Sequence, residues 1–430
     1  MIDNAQTRSR SRSITQRDAS ERSATGSTLA VGSTPAVGST TNAGSTASTA
    51  GTAQQRGHEH AHARTCAQSR MNPITGDWTI FAPHRDARPD QFEAAPRSSP
   101  QVAIDCPFCG GEELSTPAPV WVAKIDADEN FQVLTTSPYD GPASQYDIAD
   151  WSVRVVPNKY PAVTDPVVDT SSNDAHQRNK PLFQSRPVSG GHEVIIESPS
   201  HVQSISELDL PEIKLMLFAY QQRLQYWRNQ PGIQYICVFK NVGGDAGASL
   251  QHSHSQLLAT DQMPNSVATI NERMRSHQAR TGCCLQCDLI RAELKYKKRI
   301  VAQTDSLVAY CPYASRLPML LCVTTKEHLD HFDQLRFEVL DELARLIQRM
   351  TGWLETLVPN ASYNLLLHTR PPGAHGNPDA FHWSLEFFPR ISRMAGFEWS
   401  SQCMINTVLP EVATERYRQC VAAENPRRVL

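Results

Sequence analysis

The sequence predicts an α+β protein made of two tandem copies of one unit, each an antiparallel sheet with helices on one face, behind a disordered N-terminal tail. Three observations carry that expectation. The first 68 residues lack any aromatic side chain and repeat Gly-Ser-Thr at Gly26, Gly32, Gly38 and Gly44. Beyond them, period-two strand patterns alternate with 3.6-period helix patterns. Those patterns also occur twice, in one order and at matching intervals.

The tail comes first. A segment this poor in apolar side chains cannot offset the entropy lost on ordering, so residues 1–68 are expected to be disordered. His58, His60 and His62 alternate inside it and read as part of a solvated tail. The segment has no apolar core of the kind a secretory signal needs. The folded chain is expected from Arg70-Met71-Asn72-Pro73.

The first copy opens with the strand His192-Glu-Val-Ile-Ile-Glu197 and reaches His201. An amphipathic helix follows, with Pro211 in its first turn and Ile213, Met216, Leu217, Tyr220, Leu224 and Trp227 on one face. A strand from Tyr235 then leads through a glycine-rich loop to a strand carrying His252-Ser-His254-Ser-Gln256. The second copy runs from Met319–Val323 to His328. Its helix carries Leu340, Leu343, Ile347, Met350 and Leu354, and a strand from Tyr363 precedes Phe381-His382-Trp-Ser384-Leu-Glu386. Tyr235 lies 34 residues after His201, and Tyr363 lies 35 after His328. His252 lies 51 after His201, and His382 lies 54 after His328. A Cys-x-x-Cys precedes each copy. The resulting units are 69–260 and 261–430.

Composition narrows the function classes. Hydrophobic residues make up 40% of 430, enough for a real core, and the formal net charge of −3 gives no argument for nucleic acid or a membrane surface. No apolar run approaches the ~20 residues of a membrane span. The eleven cysteines include Cys106-Pro-Phe-Cys109 and Cys284-Leu-Gln-Cys287. In a chain without an export signal, such pairs favour metal binding over disulfides, which points to a reducing cytoplasm.

The chemistry concentrates in Asn241-Val-Gly243-Gly-Asp-Ala-Gly247-Ala-Ser249-Leu-Gln-His252-Ser-His254-Ser-Gln256. Glycines let backbone N–H groups approach a phosphate, and Asn241, Ser249 and Gln256 are neutral donors suited to phosphoryl oxygens. A strand would place His252, His254 and Gln256 on one face. A neutral imidazole attacks phosphorus well near pH 7 and gives a product reactive enough to hand the group onward.

This motif resembles the active-site motif of the galactose-1-phosphate uridylyltransferase family, within the histidine-triad superfamily. The likeness extends to Arg70-Met-Asn-Pro, Pro83-His-Arg85-Asp-Ala-Arg88-Pro, Cys106-Pro-Phe-Cys109, Pro157-Asn158-Lys-Tyr-Pro and Ala395-Gly-Phe397-Glu398-Trp399, over residues 70–415. The resemblance implies two histidine-triad-like units, with His254 as nucleophile and Gln256 beside it. It implies Zn2+ on Cys106, Cys109, His201 and His252, and the repeat extends this to a second zinc on Cys284, Cys287, His328 and His382. Cys283 could replace Cys284. The stretch His382-Trp-Ser384 lacks the His-x-His that holds iron in other members. Arg85 and Arg88 would bind nucleotide phosphates and Asn158 would lie on the ribose and base side; Phe108 would either pack on the base or belong to the core. Phe397 and Glu398 would reach the sugar of a neighbouring subunit, implying a homodimer. Ser400-Ser-Gln-Cys403 departs from the family's glycines there. Ser384 and Glu386 stand where His254 and Gln256 stand, so one active site per chain is expected.

The activity so implied is ping-pong transfer of UMP from UDP-glucose to galactose 1-phosphate. The substrates would then be a nucleotide sugar and a sugar 1-phosphate or phosphate. An adenylyltransferase of the ADP-glucose phosphorylase type, with phosphate as acceptor, is the alternative enzyme. A nucleotide-binding zinc protein without turnover is the alternative of another class, and retention of His254 argues against it.

Overall fold

The computed structural model describes residues 67–87, 106–135, 150–164, 182–183 and 185–424. Residues 1–66 of the expected tail and Arg88 lie outside the described residues. Strand β1 (Gln68–Met71) pairs antiparallel with β2 (Trp78–Phe81), so Gln68, the last residue assigned to the tail, lies in a strand.

Eleven strands form one sheet. The first copy supplies β3 (Trp121–Ile125), β4 (Phe131–Thr135), β5 (Val153–Pro157), β6 (Gly190–Ile196), β7 (Tyr235–Val242) and β8 (His254–Thr260). The second supplies β9 (Ile300–Gln303), β10 (Leu307–Tyr310), β11 (Leu321–Thr325), β12 (Tyr363–His368) and β13 (Ser384–Pro389). The order is β4-β3-β5-β6-β8-β7-β12-β13-β11-β10-β9, antiparallel throughout. The runs β5-β6-β8-β7 and β10-β11-β13-β12 are mirror images in that order. The two copies meet where β7 pairs with β12, with Asn241 opposite Asn364 and Lys240 opposite Leu365. The repeat therefore produces one fused sheet rather than two separate ones. β14 (Met404–Asn406) joins the small sheet, parallel to β2.

Side chains alternate across this sheet, so its two faces differ. On one face, Ile195, Leu257, Leu321, Val323, Leu365, Leu385 and Phe387 share a single core with two long helices. Helix α1 (Leu210–Arg228) starts with Pro211 in its first turn, and Glu212 accepts the Asp209 N–H at 2.8 Å. The apolar residues expected on its face are all buried. The face expected of the second helix is likewise buried, in Phe337–Leu357. Between these two helices in sequence lie α2 (Asn265–Thr281) and α3 (Leu285–Tyr296), so Phe337–Leu357 is α4. The six-residue Gly396–Ser401 is α5 and Pro410–Glu424 is α6.

The other face is not bare. Val194 and Ile196 pack there against Phe108 and the Cys106–Cys109 loop. In the second copy, Val308, Tyr310 and Cys322 pack there against Ile290 of α3. Neither α2 nor α3 was expected from the sequence, because both are largely polar and follow a break in the apolar period. Among the described residues, no helix is long and apolar enough to cross a membrane.

One charged side chain of β6, Glu193, points into the helix-covered face and is fully bonded there. Glu193 accepts from Arg223 Nε (2.9 Å), Arg223 Nη2 (2.5 Å) and Trp227 Nε1 (2.9 Å). Glu193, Arg223 and Trp227 are all nearly inaccessible, so each buried polar group has the partner it needs. The Trp227 ring lies directly on Gly191, where an added Cβ would come within 1.8 Å of Cζ2. Gly191→Ala should therefore lose about 1–3 kcal/mol of stability through overpacking. Urea unfolding of the variant checks this, and an unchanged midpoint would contradict the packing described.

Candidate active site and metal clusters

The Cys106–Cys109 loop is pinned beside the end of β6, because Gly110 N–H donates to Pro199 O at 2.9 Å. This brings Cys106, Cys109, His201 and His252 together, with their ligand atoms all within 4.8 Å of one another. The Cys106 and Cys109 sulfurs each lie 3.5 Å from His252 Nδ1, and Cys109 Sγ lies 3.4 Å from His201 Nδ1. His252 Nε2 sits 2.9 Å from Ser198 O. A carbonyl oxygen only accepts, so Nε2 carries the proton and Nδ1 offers its lone pair to the sulfurs. Burial is the main cause that pushes His252 down to about 4, so the ring stays neutral. Burial, then the neighbouring Cys106, pushes Cys109 up to about 11.

Cys284, Cys287, His328 and His382 form a second cluster of the same composition and spread. Cys287 Sγ lies 3.4 Å from His328 Nδ1 and 3.3 Å from His382 Nδ1. Its cysteines come from the start of α3 rather than from a loop. Cys283, the alternative to Cys284, is not part of the cluster. Within the pair, the hydrogen bond from Cys287 pulls Cys284 down to about 2, and the same bond pushes Cys287 up. Both clusters could hold a metal ion.

His252 and His382 do not lie on strands, as the alternation had suggested. Each precedes its strand, which starts two residues later at His254 or Ser384. Backbone around Ser253 instead engages the segment after β6, with Ser253 N–H donating to Val202 O at 2.6 Å. That detour lets the His252 ring reach the cysteine loop. The sharing of one side survives it, since Phe108 contacts both rings edge-on, with centroids 6.0 Å from His252 and 5.2 Å from His254.

His254 is buried, and its Nδ1 lies 2.7 Å from His252 O. The same carbonyl argument puts the proton on Nδ1 and leaves the Nε2 lone pair free for attack. Burial lowers its pKa below the usual 6.5; the bond to His252 O opposes this and the nearby Lys240 ammonium adds to it. Gln256 is oriented by a residue that sequence reasoning missed. His192 Nδ1 accepts the Ala162 N–H at 3.2 Å, so its Nε2–H donates to Gln256 Oε1 at 2.8 Å. With Oε1 so fixed, the Gln256 amide presents its NH2 as donor. Asn158 joins the same group, with Nδ2 3.3 Å from His192 Nε2. The signal in sequence was period two: His192, Val194 and Ile196 share the face of His254 and Gln256.

Beneath the His-x-His lies a second unpredicted set. Lys240 Nζ donates to Glu197 Oε2 (2.5 Å), Ser253 Oγ (2.8 Å) and His254 O (3.3 Å). Ser253 Oγ and Ser255 Oγ donate to Glu197 at 2.7 and 2.5 Å, and the Tyr220 hydroxyl contacts Ser255 Oγ. Lys240 and Glu197 are wholly inaccessible. Burial by itself would raise the Glu197 carboxyl, but Lys240 and the two serines outweigh it and hold it below the usual value.

The remaining expected residues are placed unevenly. Asn241 Oδ1 accepts from Asn364 Nδ2 at 2.8 Å, across the β7–β12 junction. Gly247 has φ +89°, as a turn beside Asn241 requires, and Ser249 is exposed on the same loop. Arg393, next to the sugar-side segment, lies 3.8 Å from Asp245 of that loop. Phe397 is exposed on α5. Glu398 is buried, and its carboxylate caps its own helix by accepting the Ala395 N–H at 3.0 Å. Arg85 is exposed on the short 3-10 turn Pro83–Ala87.

Comparison with known proteins decides the family. Residues 57–264 match the family model described as galactose-1-phosphate uridyl transferase, N-terminal domain. The ADP-glucose phosphorylase of Arabidopsis thaliana is 31% identical over 355 residues, covering 81% of this chain and 92% of that protein. This chain belongs to the galactose-1-phosphate uridylyltransferase family. It is a nucleotidyltransferase. The galactose-1-phosphate uridylyltransferase of Haemophilus influenzae is 26% identical, covering 84% of this chain and 94% of that one. A crystal structure of an Arabidopsis thaliana ADP-glucose phosphorylase with bound ADP-glucose superposes with a TM-score of 0.64 at 28% identity, covering 82% of this chain and 99% of that chain. Residues 166–428 also match a family described as a domain of unknown function, DUF4921.

The Lys240–Glu197 pair generates one expectation. Lys240→Met leaves a buried carboxylate uncompensated and should destabilise the protein by about 3–5 kcal/mol. Adding Glu197→Gln should recover part of that loss in chemical denaturation. Equal stability of Lys240→Met and wild type would show that the pair does not hold this strand.

Proposed function

We propose that the chain transfers a nucleotidyl group from a nucleotide sugar through a covalent intermediate on His254. The observation that carries this reading is the His254 ring itself: neutral, buried, with Nδ1–H held by a carbonyl and Nε2 free. Nε2 attacks the α-phosphorus, an N–P bond forms, and the bond to the bridging oxygen breaks. Sugar 1-phosphate leaves with the electron pair. The Nδ1–H···O bond to His252 steadies the imidazolium so formed, and the Gln256 NH2 donates to a phosphoryl oxygen as charge builds there. An acceptor oxygen then reverses the step.

With UDP-glucose as donor and galactose 1-phosphate or another hexose 1-phosphate as acceptor, this is the uridylyl transfer for which the Haemophilus relative is named. A second reading, ADP-glucose cleaved by phosphate, is favoured by one specific observation: the relative of that name is the more similar of the two, at 31% against 26%. The two share every step up to the intermediate. In either case Arg85, Arg88, Asn241, Gly247 and Ser249 would meet the phosphates, Asn158 the nucleoside, and Phe397 and Glu398 the sugar across a homodimer. Exposed Trp78, Phe397 and Trp399 support that dimer. Ten described cysteines are free, which supports a reducing cytoplasm.

The metal we propose at both clusters is zinc. A tetrahedron with Zn–S of ~2.3 Å and Zn–N of ~2.0–2.1 Å has S···N edges of about 3.5 Å, and the S···N separations here are 3.3–3.5 Å. Four protein ligands close each site, so the ion would anchor the loop or helix that carries the cysteines.

Purified protein should carry close to two zinc ions per chain, and Cys106→Ala should lose one and melt earlier. Elemental analysis finding no zinc in chelator-free protein would refute this assignment. His254→Ala should take up no label from a nucleotide sugar labelled in its α-phosphate, yet keep its zinc through His252. Wild-type labelling in that variant would place the nucleophile elsewhere. Because the His254 pKa lies below 6.5, label uptake should stay level as pH falls to 6.5 and decline only below it. Assays of UDP-glucose with galactose 1-phosphate, against ADP-glucose with phosphate, separate the two readings.

A further inference from the structure

The second copy has no histidine where His254 stands, yet it keeps a cavity there. It measures about 230 Å3 and opens over β13, where Ser384 and Glu386 occupy the places of His254 and Gln256. The correspondence holds in the ladder: Glu386 is opposite Cys322 as Gln256 is opposite Val194. Side chains of Ile270 and Met274 from α2, with Tyr310, Tyr313 and Phe381, wall the space. Those walls are apolar and aromatic, and they suit a flat ring.

The polar end is a carboxylate. Arg316 Nη2 lies 2.7 Å from Glu386 Oε2, and His368 Nε2 lies 3.5 Å from the same oxygen. Both contacts fall on Oε2, so Oε1 can accept from a bound molecule. The arrangement is the reverse of a phosphate cradle. An anion would meet the Glu386 charge, and the Arg316 charge is already neutralised by it. A neutral molecule with an N–H donor meets no such penalty. The volume lies below the ~300–1,000 Å3 usual for drug-sized ligands, so one or two small ring systems fit.

We propose that this cavity binds a neutral heteroaromatic molecule of purine-nucleoside size, with its ring among Tyr310, Tyr313 and Phe381 and an N–H donated to Glu386. The site is separate from the one holding His254 and does not depend on the reaction assigned there. The probe is labelled adenosine, in equilibrium dialysis with the full, metal-loaded chain. Excess UDP-glucose and ADP-glucose are present to occupy the His254 site. One equivalent of adenosine should bind, and AMP should bind at least tenfold more weakly. Ile270→Trp, which fills the cavity, should lose adenosine while retaining label exchange at His254, which shows that it is folded. Glu386→Gln frees the Arg316 charge and should reverse the order, so that AMP binds at least as tightly as adenosine. The proposal fails if no adenosine binds beyond what nucleotide sugar displaces, if Ile270→Trp binds it like wild type, or if AMP and adenosine compete equally in the wild type.

Discussion

Much of this molecule depends on one buried ion pair, Lys240 with Glu197. It ties β7 to the end of β6 and, through Ser253, Ser255 and the His254 carbonyl, to the first turn of β8. Those three backbones carry His252 of the Cys/His cluster and His254, both turned toward Phe108. An ion pair with no water access is a poor source of net stability, since two desolvated charges offset most of their attraction. It is a good source of uniqueness, because any shift in the strands would strand a charge. Here it fixes the path of the chain between His252, whose ring must reach two sulfurs, and His254, whose ring must face the other way along the same surface. A metal on the first cluster would hold His252 from the face opposite the ion pair, so the His-x-His segment would be clamped from both faces.

The two copies kept different things. The spacing that makes a four-ligand cluster survives in both, as do the strand order and the long helix on the core face. A histidine at the place of His254 is found in one only, with Ser384 in the other. Each cluster fastens a cysteine-bearing segment onto the sheet, which every copy needs in order to cover that face. Under the proposed mechanism attack needs only one histidine, which leaves the second position free to change. Ser384 and Glu386 place a carboxylate where the first copy has the Gln256 amide.

How far the sequence could be read follows from how local each signal is. The helix over 210–228 was legible because six apolar residues fall on one stripe and Pro211 marks its start. The clusters were legible because Cys-x-x-Cys is compact and the histidines recur at matched distances. The strands start two residues after His252 and His382, because alternation continues through segments whose backbone bonds go to Val202 and Leu329 rather than to a ladder. The helices over 265–281 and 285–296 carry mostly polar side chains and sit on the minor face, where a few contacts suffice. Lys240, Glu197 and His192 went unnoticed because a charged or polar residue on a strand looks solvated until the facing strand is known. The motif marks Glu398 as a sugar contact, and its capping bond to the Ala395 backbone is visible only once α5 is formed.

Fusing both copies into one sheet has a consequence during synthesis. When the first copy leaves the ribosome, β7 is an outer strand whose partner, Tyr363–Leu367, lies about 120 residues further on. At roughly 5–20 residues per second, that gap lasts on the order of ten seconds. Throughout it the nascent chain shows an open row of backbone N–H and C=O groups, the kind of edge that recruits strands from other chains. Lys240 sits on that edge strand with its charge turned inward, and inward-pointing charges are one means by which proteins keep strand edges from pairing wrongly. The residue that orders the His252–His254 segment in the finished protein thus lies on the strand whose outer edge is covered last.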